Sequence, residues 1–227
     1  LPIIPDANEP VVISVQAEDP NGVSSMLLWW KTATGSFNSA PMLAQGNVYT
    51  ATIPGQTASK VVQFYVEGTD SLGTTSTYPP AGPDSRALYI VDDGQTSSEK
   101  LRSFRLIMFP TEGHDLFQGI NLASNAFAPA TVVDNESEVF YDVGVHLHGS
   151  PAGRTVADRR SSYTIGFDAD QLFRGVHSSV ILDTSGASGV MSGSQDEILA
   201  THLLNHAGGG VSLYNDLVHQ IVPNNLR

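Results

Sequence analysis

Residues 139–150 read VFYDVGVHLHGS, and the fold of the second half turns on this stretch. It is rich in β-branched and aromatic residues, which favour strands. On a strand, alternate side chains point to opposite faces. Val143, Val145 and Leu147 therefore share one face, and His146 and His148 share the other. Two histidines on one face can hold zinc or copper only with further ligands. His202 and His206, four apart on a predicted helix, are the candidates to complete such a set. The chain has no cysteine and no H-E-x-x-H frame. A solvated or cleft-facing strand surface is thus the leading reading of His146 and His148.

Working outward, 130–133, a turn at 134–136 and 139–147 read as a hairpin. Residues 102–109 read as a strand that Pro110 ends. Tyr163 to Phe167 and Val180 to Leu182 are further strand candidates. The convincing helix runs from Ser194 to Ala207. Ser194 and Glu197 have capping-box spacing, and Gly208, Gly209 and Gly210 end the helix. The segment 101–227 is accordingly expected to be an α+β domain.

The first half has a different texture. Strand-like runs at 11–15, 26–31, 49–53, 62–67 and 87–91 are separated by turn signals such as Asp19-Pro20-Asn21-Gly22 and Asp70-Ser71-Leu72-Gly73. Met26, Leu28 and Trp30 alternate with Leu27, Trp29 and Lys31; Val62, Phe64 and Val66 alternate with Gln63, Tyr65 and Glu67. Such spacing predicts a β-sandwich over 8–94. The polar segment 95–100 is the expected linker. The strings MLLWWKT, YTATIPGQ and VVQFYVEGTDSLG resemble the fibronectin III-like and immunoglobulin-like modules of large bacterial exported proteins. That resemblance implies spacing or binding, not catalysis.

Composition narrows the partners. Eleven Lys and Arg stand against 23 Asp and Glu, for a net charge of -12. This balance disfavours a nucleic-acid backbone or an anionic lipid surface as partner. The absence of cysteine excludes disulfides, thiolate zinc sites and cysteine nucleophiles. No run of 18 apolar residues predicts a membrane span. The chain opens Leu1-Pro2-Ile3-Ile4-Pro5, and it is expected to be a piece of a longer protein, secreted or attached to the cell surface.

Two other chemistries find little in the sequence. Asp19, Asn21 and Asp70 lie in oxygen-rich turns that can ligate calcium, but the same residues occur in turns for conformational reasons alone. No G-x-S-x-G elbow and no G-x-x-x-x-G-K-[ST] loop are present, so a serine hydrolase and a P-loop nucleotidase have no support.

A second resemblance covers roughly 103–210. The strings VGVHLHGS, RSSYTIGFDADQLFRG and the helix start DEILA resemble the CotH kinase family of atypical protein kinase-like proteins. The family pattern is VGVRLRGS, then KKSYRIKF with a following D-x-L-F-R-G. The resemblance implies the N-terminal part of a kinase-like domain, with ATP and Mg or Mn bound by the full-length parent. It places Arg160 where the family has its first strand lysine and Ser161 where it has the second. Glu197 falls near the helix acid, and His146 and His148 fall where basic residues face the nucleotide. Phosphoryl transfer needs positioning and charge neutralisation more than covalent work. The family's metal-binding aspartates come well after the helix, so no catalytic residue is expected in this chain. Two readings remain open from the sequence: a fragment of an exported CotH-like kinase acting on an unknown protein, or non-catalytic binding and spacer modules of an adhesive or cell-surface protein.

Overall fold

The computed structural model describes residues 3–95, 100–149, 154, 161–183, 194–207 and 215–222. The first half contains β1 (Val11–Gln16), β2 (Val23–Thr32), β3 (Asn38–Pro41), β4 (Leu43–Gln45), β5 (Val48–Ile53), β6 (Val61–Asp70), β7 (Thr75–Tyr78) and β8 (Leu88–Ile90). They form two antiparallel sheets, β1-β5-β4 and β3-β2-β6-β7, with β8 also paired to β6. The predicted alternation in β2 is seen. Met26 and Leu28 are buried in the sandwich core beside Val11, Met42, Ile53, Val62, Val66 and Tyr89, with Trp30 packed against it. On the outer face, Trp29 stacks on Tyr65 with ring centroids 6.0 Å apart.

The second half contains β9 (Arg102–Ile107), α1 (Pro110–Leu116), β10 (Ala128–Asp134), β11 (Glu138–Leu147), β12 (Tyr163–Gly166), β13 (Ser179–Leu182), α2 (Ser194–His206) and β14 (Val218–Ile221). Its sheet has the order β13-β12-β11-β10-β9-β14. Five of these strands form an antiparallel meander, and β14 joins β9 in parallel. The chain is thus mostly antiparallel β-sheet with short helices. The predicted hairpin is β10–β11, and Asn135 and Glu136 take φ 52 and 51 in its turn. The Ser137 N–H closes the turn on the Asp134 carbonyl at 3.1 Å, and two consecutive positive φ values at its centre are those of a type I′ turn.

In the second half, two elements differ from the sequence reading. Pro110 ends β9 but also starts α1, where it occupies the first turn and its missing N–H has no intrahelical partner to lose. Strand β14, VHQI, lacks alternation and is held by its parallel register on β9, Val218 opposite Arg102 and Ile221 opposite Arg105. The second signal is not local.

One face of the second sheet carries its core. Phe104, Leu106, Val132, Phe140, Val143, Val145, Leu147, Tyr163 and Ile165 are buried there with Phe167 and Phe173. The opposite face is divided. Toward β9 and β10 it packs on the sandwich, where Ile107, Phe109 and Val133 meet Val61, Leu88 and Ile90 in one buried cluster. Each such side chain gains roughly 1.5–3 kcal/mol from full burial.

Polar contacts sew the same junction. Thr131 Oγ1 donates to the Arg86 carbonyl and accepts the Leu88 N–H at 3.0 Å. Arg86 Nε meets Glu112 at 2.6 Å, and the Arg86 guanidinium lies 5.6 Å from the Phe109 ring. Phe64 meets Tyr141 edge-on at 5.8 Å. Gln63, which alternates with the core-facing Val62 and Phe64 of β6, is nevertheless fully buried. Its Nε2 donates to the carbonyls of Pro83 and Ser85 at 2.9 and 2.6 Å.

The start of the expected linker is likewise tied down. Arg105 Nη2 donates to the Gln95 carbonyl at 2.8 Å, and Arg105 Nη1 lies 3.4 Å from Asp93. Gln95 Nε2 in turn reaches the Val222 carbonyl at 3.2 Å.

Candidate functional site

Across β11 and β12, Gly144 faces Gly166 and His146 faces Thr164. By strand alternation these four residues share the face opposite the core. Phe127, from the segment before β10, lies across that floor. A Cβ on Gly144 would stand 2.7 Å from Phe127 Cγ, and one on Gly166 would stand 3.2 Å from Cζ. The ring therefore reaches from one strand to the next. A mid-strand glycine marks a close approach, and here two paired glycines make room for one aromatic ring, which restores the apolar contact they lack.

Both opening histidines are held within this surface. The His146 ring lies 4.9 Å from the Phe127 ring, and its Nδ1 bonds the Leu147 carbonyl at 2.9 Å. His148 Nδ1 bonds Thr164 Oγ1 at 3.0 Å. Arg154 anchors the segment that carries Phe127. Its guanidinium donates to the carbonyls of Gly149, Leu122 and Ser124 at 3.0–3.1 Å, and to Asn125 Oδ1 at 2.8 Å. Arg154 is nearly buried, and its hydrogen-bond capacity is spent on holding the strap.

The remaining candidates separate. Arg160 lies outside the described residues. Glu197 falls in α2, but its side chain, with the Ser194 capping box, also lies outside them. His202 and His206 stack 4.1 Å apart, and His206 Nδ1 bonds the His202 carbonyl at 2.8 Å. They line a cleft of about 520 Å³ with Asn205, Asn215, Asp216 and Leu217. The calcium candidates serve their own turns. Asp19 Oδ1 accepts the Asn21 N–H at 2.7 Å, and Asp70 Oδ1 accepts those of Leu72 and Thr74 at 2.9 and 2.7 Å. The bond from Thr74 is the main cause holding the Asp70 carboxyl below the ordinary aspartate range.

No group of three or more His, Asp or Glu among the described residues is arranged for a metal ion. Arg154 beside this face is committed to carbonyls, while Arg102 and Arg105 lie toward the other end of the β10–β11 ladder, paired with Asp134 and with Asp93 and Glu136. No described helix is long and apolar enough to cross a membrane.

Phe127 and Arg154 had no periodic signal in the sequence, since both lie outside strands. The glycines at 144 and 166 were the legible trace of the ring.

No family model matches the chain, and no curated protein does. Among solved structures, a cycloalternan-degrading enzyme from Trueperella pyogenes is similar over 65% of this chain and 17% of its own, at 12% identity and TM-score 0.29. A cycloalternan-forming enzyme from Listeria monocytogenes is similar over 80% of this chain and 15% of its own, at 11% identity and TM-score 0.29. The chain thus spans less than a fifth of the length of either protein.

Proposed function

We propose that this chain is a non-catalytic, rigid spacer and binding section of an exported or cell-surface protein, built from a fibronectin III-like sandwich and a sheet on the CotH-like frame. One observation carries the reading. The strand face that the CotH resemblance assigns to a nucleotide is covered by Phe127, and its histidines and the neighbouring Arg154 bond to the protein itself. What the chain offers instead is a sandwich and a sheet joined through a continuous apolar cluster, which suits a load-bearing or positioning role.

A second reading is favoured by a different observation. The D-x-L-F-R-G segment returns to the core through Phe173, beside β11 and β12, as a shared frame would require. On that reading the parent is an ATP-dependent kinase acting on a protein, with Mg or Mn, and Arg160 and Glu197 serve its nucleotide. Shared ancestry does not carry activity with it.

Titration calorimetry with MgATP and MnATP separates the two. The spacer reading expects no saturable heat from the chain or from its Phe127→Ala variant. Saturable, metal-dependent binding that Arg160→Ala abolishes would give the lead to the kinase reading.

A further inference from the structure

His202 and His206 stand four apart on α2, so one helical turn brings both rings to the same face. Their ring centroids are 4.1 Å apart, with the planes inclined by 31°. Both residues are exposed.

The helix itself fixes the tautomer of one ring. A carbonyl only accepts, so the 2.8 Å contact between His206 Nδ1 and the His202 carbonyl requires the proton on that nitrogen. In the neutral ring Nε2 then carries the lone pair. This is the arrangement of a metal-ligating histidine, whose other ring nitrogen donates to a backbone carbonyl. No further hydrogen bond ties either ring among the described residues.

The rings line the cleft of about 520 Å³ that α2 shares with the segment 215–217 leading into β14. Asn215 Nδ2 meets Thr201 Oγ1 at 3.5 Å, which sets that segment against α2. Asp216 brings a carboxylate to the same cleft, with Oδ1 accepting the Leu217 N–H at 2.8 Å. Arg102 feels the Asp216 charge, but its guanidinium is taken by Asp134. No described lysine or arginine lines the cleft.

These groups select the kind of ion. Imidazole suits zinc, nickel and copper, whereas magnesium and calcium take oxygen ligands. The described residues offer two ring donors and not a set of three, so the remaining positions fall to water and the ion stays exchangeable.

We infer that His202 and His206 form a two-imidazole site for a late first-row divalent cation, such as zinc, in the cleft between α2 and the start of β14. Such an ion favours the helical state of α2, because the helix is what brings the two rings together. The inference stands apart from the choice between spacer and kinase, since it uses neither the β11 face nor a nucleotide.

The test titrates the full chain with zinc and with nickel ions, followed by calorimetry and by the unfolding temperature, with magnesium as the control ion. The variants are His202→Ala and His206→Ala. Both rings are exposed and alanine is the best helix former, so each variant keeps its helix. His148→Ala controls for the other histidine pair. The expected result is saturable zinc and nickel binding in wild type, with a zinc-raised unfolding temperature. Both effects disappear in either α2 variant and persist in His148→Ala, and magnesium gives neither. Absence of saturable zinc binding in wild type, or binding that survives both α2 variants, would overturn the inference.

Discussion

Arg105→Leu is expected to destabilise the chain by about 3–5 kcal/mol, the scale for breaking a buried ion pair from one side. The Arg105 and Asp93 side chains are each only 4% exposed. Leucine fills part of the volume of the aliphatic stem but leaves the Asp93 carboxylate without its cation. It also removes the donor to the Gln95 carbonyl and the partner of Glu136 at 3.0 Å. Glu136 Oε2 already lacks a hydrogen-bond partner, so its environment has little to spare. The effect is measured by urea unfolding with the slope held constant. A loss under about 1 kcal/mol, the range of an exposed pair, would mean that the junction is wet.

The second large effect is at Phe173. Its ring lies 5.7 Å from Phe104, 5.8 Å from Phe140 and 5.5 Å from Phe167. Removing a ring from such a cluster loses both its burial and the contacts of its neighbours, and Phe173→Ala is expected to cost about 3–5 kcal/mol. The consequence reaches the functional argument. Within the segment that most resembles the CotH pattern, the phenylalanine is explained by packing alone, and it would be retained in a protein with no kinase activity. If unfolding shows Phe173→Ala to be neutral, packing does not explain the residue and another role has to be sought.

The sandwich was legible because Met26, Leu28 and Trp30 obey a period of two, which a strand with one buried face imposes. Gln63 broke the simple alternation because β6 is buried on both faces: Val61 meets the second sheet, and Gln63 is held by the carbonyls of Pro83 and Ser85, some 20 residues later in the chain. The β10–β11 hairpin was legible from its turn, where Asn135 tolerates the positive φ that the turn requires. Pro110 was read as a stop but not as a helix start, since both follow from the same missing N–H. Strand β14 is held by a parallel neighbour and leaves no pattern of its own.

At the candidate site the histidines were correctly placed on one strand face. What covers them was not visible, because Phe127 lies outside any periodic segment.

The central claim is that the sandwich and the second sheet form one rigid block, joined by the cluster of Val61, Leu88, Ile90, Ile107, Phe109 and Val133. Scanning calorimetry of the whole chain at neutral pH tests it most directly. The account predicts one transition whose calorimetric and van't Hoff enthalpies agree. Two separable transitions, one for each unit, would contradict it.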